Sequence, residues 1–148
     1  MGWKKVDKRL SRIQYSDLKP RQQENYNFQK VSAIFADYGF VTHRLSDDWQ
    51  GADFIAQHID GETFIKVQLK SRLAFYKKYY GKDLYVAFYI DNAWYLFPHD
   101  KLLEKFLAQT NIGNTESWKE RGSYSFPFLS KLAKKLLGPY QIYPHKDE

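Results

Sequence analysis

The stretch GADFIAQHIDGETFIKVQLKSR, residues 51–72, decides how the chain is read. Two runs rich in apolar residues, 52–57 and 63–70, flank Asp60-Gly61, a dipeptide suited to the positive φ angles of a tight hairpin turn. In the second run a period of two puts Ile65, Val67 and Leu69 on one face and Lys66, Gln68 and Lys70 on the other. Counting outward from the turn sets Asp53 opposite roughly Gln68. A carboxylate, an amide oxygen and an ammonium therefore converge near one end of the hairpin. The alternative for the same polar row is the wet side of an ordinary antiparallel strand.

Upstream, Phe28, Val31, Ile34, Phe35 and Tyr38 recur at steps of three and four, which predicts an amphipathic helix over residues 21–38. Pro20 near its start and Gly39 past its end are the matching punctuation. Extending the stripe back by four places Glu24 on the inward row, although an acid in a first helical turn also complements the helix dipole. A strand is expected over 40–45. The polar loop 46–50 follows, where Asp47 and Asp48 are read as turn formers, the alternative being that they approach a metal bound at the hairpin.

Downstream, residues 73–83 are ambiguous between a short helix and a loop. Strands are expected over 84–90 and 93–97 around an Asp91-Asn92 turn. Pro98 and Asp100 open a helix to about residue 108, residues 109–126 read as a loop, and a last helix over 129–137 ends at Gly138-Pro139. His43, His58, His99 and His145 show no metal-binding spacing.

The 148 residues, 43% hydrophobic and 18% aromatic, suit one domain with one core. We divide the chain into a basic N-terminal arm, 1–20, and a single α/β domain, 21–148. Cysteine is absent, which excludes disulfides and thiolate metal sites and fits a reducing cytoplasm. No run approaches the ~18 apolar residues of a membrane span. The formal charge is +6, and residues 1–21, with Lys4, Lys5, Lys8, Arg9, Arg12, Lys19 and Arg21 against Asp7 and Asp17, carry most of it. Such an arm suits a polyanionic partner, or serves as a solvated tail. Arg72, Lys77 and Lys78, interleaved with Tyr76, Tyr79 and Tyr80, directly follow the hairpin and offer phosphate neutralisation and base stacking; the alternative is a surface helix with inward tyrosines.

A carboxylate beside amide and backbone oxygens is an oxygen-only donor set, which suits Mg²⁺ or Mn²⁺. With a lysine beside it, it fits phosphodiester hydrolysis. The segment resembles the active-site hairpin of the PD-(D/E)XK nuclease superfamily: an Asp on one strand, then an acid or Gln, any residue, and Lys on the next. The matching positions are Asp53 in GADFIA and Gln68, Leu69 and Lys70 in VQLKS, and the resemblance spans roughly residues 20–97. It departs from the pattern in having Ala52 where a proline precedes the Asp and Gln68 where an acid is usual, which removes one negative charge.

The resemblance implies an α/β restriction-endonuclease-like core, a mixed central β-sheet flanked by helices. It implies a metal-dependent endonuclease acting on DNA, with Asp53, Gln68 and the Leu69 carbonyl binding Mg²⁺ or Mn²⁺, Glu24 joining the site, and Lys70 acting on the attacking water. Lys66, Arg72, Lys77 and Lys78, with Lys4, Lys5, Lys8 and Arg9 of the arm, are the candidate nucleic-acid contacts. Cutting both strands of a duplex needs two sites, so a homodimer or a higher assembly is expected, with no membrane involvement. The rival readings are a catalytically silent nucleic-acid-binding module and a protein-interaction domain.

Overall fold

The computed structural model describes residues 7–146. Two 3-10 turns, Lys8–Leu10 and Tyr15–Asp17, lead into helix α1 (Pro20–Asp37). Proline in the first turn has no amide hydrogen to leave unpaired, and Gly39 (φ +85°) reverses the chain after the last turn, so both ends fall where the sequence predicts. Val31, Ile34 and Phe35 are buried along the inward stripe. Tyr38 departs from the stripe: it is exposed, and its hydroxyl accepts the Tyr143 N–H at 2.9 Å.

Three strands follow as an antiparallel meander, β1 (Phe40–Trp49), β2 (Ala52–His58) and β3 (Phe64–Lys70). The chain then forms β4 (Ala74–Tyr76) and returns as β5 (Leu84–Ile90), parallel to β3, with β6 (Ala93–Pro98) antiparallel to β5. After helix α2 (His99–Gln109), β7 (Ser123–Ser125) pairs with β4 in a separate two-stranded sheet. Helix α3 (Lys131–Leu137) leads to β8 (Gln141–Ile142), which pairs with β6. The fold is thus mixed α/β, with a six-stranded mixed sheet in the order β1-β2-β3-β5-β6-β8 flanked by helices.

Alternation along β5 sorts the core. Ala87 faces α1 with Phe54, Val67, Val31 and Phe35, whereas Val86 and Phe88 face α2 and α3 through Leu102, Phe106 and Leu137. Burial on both faces is what a parallel neighbour in mid-sheet requires. Each fully buried Phe contributes roughly 1.5–3 kcal/mol.

Both turns that the sequence marks are turns, by different means. Asp91 (φ 51°) and Asn92 (φ 60°) join the paired residues Ile90 and Ala93, a two-residue turn with both φ positive. Asp60 instead organises a longer loop, residues 59–62, closed by the His58 N–H donating to the Thr63 carbonyl at 2.9 Å. Its carboxylate accepts the Thr63 hydroxyl at 2.6 Å and the Thr63 and Glu62 N–H groups at 2.8 Å each. Those bonds, the hydroxyl first, hold the Asp60 carboxyl well below the usual carboxylate range.

Other expectations need correction. β1 continues past residue 45 to Trp49, with an irregular register between Arg44 and Trp49, so only Gln50 and Gly51 remain as the turn. The ambiguous segment after β3 is neither a helix nor a plain loop; it is β4 followed by the 3-10 turn Lys77–Tyr79. The expected loop over 109–126 contains the 3-10 turn Ile112–Asn114, a π-helical turn at Ser117–Arg121 and β7, anchored by buried Trp118. The last helix starts at Lys131, where the Ser130 hydroxyl caps the Ala133 N–H at 3.1 Å. Among the described residues no helix is long and apolar enough to cross a membrane.

Candidate active site

The β2–β3 register runs from Phe54–Val67 to Gln57–Phe64, and the same offset carried one step further sets Asp53 opposite Gln68. The paired ladder stops at Phe54–Val67, and the Asp53 carboxylate takes up the next available donor: the Leu69 N–H reaches its Oδ2 at 2.7 Å. A side chain replaces a backbone acceptor where the strands part. This fixes the carboxylate against β3.

The polar row of β3 has three different fates. Lys66 donates from Nζ to the Lys82 carbonyl at 2.5 Å, bracing the return into β5. Gln68 is buried, and its Nε2 donates to the Tyr79 hydroxyl at 2.7 Å. Lys70, half-buried at the end of the strand, sets its Nζ 4.6 Å from the Tyr76 ring centroid. The wet-face alternative therefore fails for Gln68.

Gln68 Oε1 is buried without a hydrogen-bond partner. An orphaned buried acceptor costs about 1–3 kcal/mol unless something fills its lone pairs, and a hard cation does so. This atom fits the oxygen-only donor set proposed for the site. Asp53, Gln68, Leu69 and Lys70 line one cavity of about 510 Å³, and Glu24 lines it from α1. Among the described residues no group of three or more His, Asp or Glu forms a ready metal cage. Glu24, Asp47 and Asp53 all line the cavity without forming such a group.

Further residues complete the wall. Asp47 lies in the extended part of β1 and lines the cavity, so of the two roles the sequence left for it the turn role gives way to a place beside the site. Arg44 also lines it, hydrogen-bonded to Asn25 and 5.2 Å from the Phe28 ring. Gly51 (φ +89°) lies so close to Tyr79 that an added Cβ would come within 2.6 Å of the ring. Only glycine allows this turn to pack against the ring that holds Gln68.

The platform under Lys70 is fastened from below by a residue that periodicity does not reveal. His99 is fully buried at the start of α2. Its Nε2 accepts the Tyr76 N–H at 3.1 Å, which leaves the proton on Nδ1, 2.8 Å from Asp100 Oδ1. Asp100 Oδ2 accepts the Gly81 N–H at 2.9 Å, so one His–Asp pair ties both ends of the segment 76–81 to α2. A single histidine after a proline carries no spacing signal. Its partner lies 23 residues away.

Of the candidate nucleic-acid contacts, the described Lys66, Arg72, Lys77, Lys78 and Arg9 do not line this cavity. Lys78 packs over Tyr76 and Tyr79 at 5.6 and 5.1 Å, Lys77 turns to Trp118 at 5.3 Å, and Arg72 is exposed just after β3. Arg9 forms an exposed ion pair with Asp7 at 2.5 Å, which occupies its guanidinium. Lys4, Lys5 and the Lys8 side chain lie outside the described residues. The end of the arm is anchored on α1, where the Tyr15 hydroxyl accepts the Asn27 side-chain amide at 2.9 Å.

No protein-family model matches the chain, and no curated protein matches it by sequence. Among solved structures it is similar to the bacterial homing endonuclease I-Ssp6803I, at 15% identity and a TM-score of 0.47, covering 76% of this chain and 78% of that one. It is also similar to Hjc, a Holliday junction resolvase from Archaeoglobus fulgidus, at 19% identity and a TM-score of 0.41, covering 50% of this chain and 76% of the resolvase.

Proposed function

We propose that the protein is a metal-dependent endonuclease that hydrolyses DNA phosphodiester bonds. The observation that carries this reading is the unpartnered Gln68 Oε1, opposite Asp53 in a cavity that Glu24 and Lys70 share. Asp53, Gln68 Oε1, the Leu69 carbonyl and Glu24 are the oxygens to hold Mg²⁺ or Mn²⁺. A divalent ion held there would supply Lewis-acid polarisation of a phosphoryl oxygen and a lowered pKa for bound water. Lys70 directs its ammonium hydrogens at the attacking water and offsets the charge developing on the phosphoryl oxygens. Tyr76 keeps that ammonium in place from beneath.

The net charge of +6 supports a polyanionic substrate, with Lys78 over Tyr76 and Tyr79, Arg72 just after β3, and the arm as a second point of contact. Lys4, Lys5, Lys8, Lys66, Lys77 and Arg9 contribute to the field more than to the site. A two-fold homodimer supplies the two sites that a double-strand cut requires.

A silent DNA-binding module is the second reading, favoured by the neutral Gln68 and the absence of a three-carboxylate cage among the described residues. Incubation with supercoiled plasmid and with genomic DNA, in Mg²⁺, Mn²⁺ or EDTA and beside Lys70→Ala, separates the two. Metal-dependent nicking that the variant loses supports the nuclease. Retained binding without nicking of either DNA supports the silent module.

A further inference from the structure

We infer that a second cavity, next to the candidate active site and walled by Tyr15, Tyr26, Tyr89 and Trp94, receives an unpaired nucleobase of the bound DNA strand. The inference rests on the nuclease reading above and adds a substrate class to it: DNA with a base free of its partner near the scissile phosphate.

The cavity measures about 620 Å³, within the roughly 300–1,000 Å³ typical of ligand pockets. Four aromatic rings contribute to its walls. Tyr15, Tyr26 and Tyr89 are 43%, 38% and 44% exposed, while Trp94 is buried beneath, its ring 5.4 Å from that of Tyr89. Tyr15 and Tyr26 meet edge to face at 5.3 Å. That contact, and the Asn27 bond to the Tyr15 hydroxyl, hold two of the four walls in place before any ligand arrives.

Continuity with the catalytic cavity identifies the occupant. Asn27, Lys70 and Ser71 line both spaces, so a strand whose phosphate meets Lys70 has its neighbouring base at the mouth of the aromatic cavity. Lys30, which also lines this space, sets its Nζ 5.2 Å from the Tyr26 ring centroid and offers a cation to the adjoining phosphate. The side-chain amides of Asn27 and Gln23 supply donors and acceptors for a base edge. A base inside a duplex has both faces covered by its stack and cannot enter. An unpaired one loses little by leaving.

The test uses the full chain in EDTA with two oligonucleotide duplexes, one fully paired and one carrying a single bulged 2-aminopurine. The wild-type protein is expected to bind the bulged duplex about tenfold more tightly than the paired one and to change the 2-aminopurine fluorescence. Tyr26→Ala and Tyr89→Ala are expected to bring the two affinities together and remove the fluorescence change, with Tyr26→Phe restoring both. Equal wild-type affinities, or tyrosine variants that weaken both duplexes alike, overturn the inference. A bulge preference without nicking of any DNA in any metal removes the nuclease reading alone, nicking without that preference removes the pocket alone, and no affinity for either duplex removes both.

Discussion

Gln68 is where a single atom changes the chemistry most. Replacing it with glutamate sets a second carboxylate opposite Asp53 in a buried position. Without metal the two charges repel and desolvation opposes ionisation, so Gln68→Glu is expected to melt lower than wild type in EDTA. With Mg²⁺ the added charge strengthens the donor set, and the melting temperature is expected to rise more steeply with metal, at about tenfold lower half-saturating concentration. Differential scanning fluorimetry across a Mg²⁺ titration reads both effects; parallel curves for the two proteins contradict the metal assignment. The relation of Asp53 to Gln68 was legible because hairpin parity leaves it little freedom. That of His99 to Tyr76 was not, since the two meet only through tertiary packing. His99→Ala leaves the Tyr76 N–H unpaired and opens a cavity, a loss of about 3 kcal/mol. At roughly 2–4 °C per kcal/mol for a chain of this size, the melting temperature should fall by about 6–12 °C.

Elements position the site through their turns. Gly51→Ala adds a methyl where the nearest ring carbon would be 2.6 Å away, at a φ that alanine resists. The Tyr79 ring must shift and take its bond to Gln68 with it. We expect at least a tenfold loss of nicking from a residue that contributes no side chain to the cavity, with circular dichroism confirming the fold; full activity would show that the Tyr79–Gln68 bond is dispensable. The loop between β2 and β3 offers a pH-dependent counterpart. Because the Asp60 carboxyl is held below its ordinary value of 3.8, the stability it contributes is present above that pH and is lost as pH falls toward its depressed value. The melting-temperature gap between wild type and Asp60→Ala should therefore be constant from neutral pH to about 5 and close at lower pH. What the sequence revealed at this scale follows from range. The meander, the Asp91-Asn92 turn and α1 declare themselves through local period and turn chemistry. β4 and β7 do not, because three-residue strands some 50 positions apart in the chain are too short to show a period and owe their geometry to each other and to their packing. The polar end of β1 reads as loop because it carries no apolar alternation, and beyond Arg44 its register with β2 is irregular, with Trp49–Ala52 the next pair.

For the whole molecule the open quantity is how the charge is used. Residues 1–21 hold +5 of the formal +6, so the remainder of the chain is nearly neutral. If the arm lies along phosphates, each contact releases a counterion and adds about 0.9 to the slope of log affinity against log salt. Arg9 is excluded from that count because Asp7 already occupies its guanidinium. Replacing Lys4, Lys5, Lys8 and Arg12 together with glutamine should then flatten the slope by about 3–4 on duplex DNA. The anchoring of Tyr15 on α1 makes a second demand. Tyr15 lines the aromatic cavity, so if the arm and that cavity engage one strand, as the nuclease proposal requires, the weakening should reach nicking as well as binding. Fluorescence anisotropy between 50 and 200 mM salt, paired with nicking rates at each concentration, tests both. A flattened slope with unchanged nicking at saturating protein places the arm on DNA remote from the site, and an unflattened slope makes it a solvated tail.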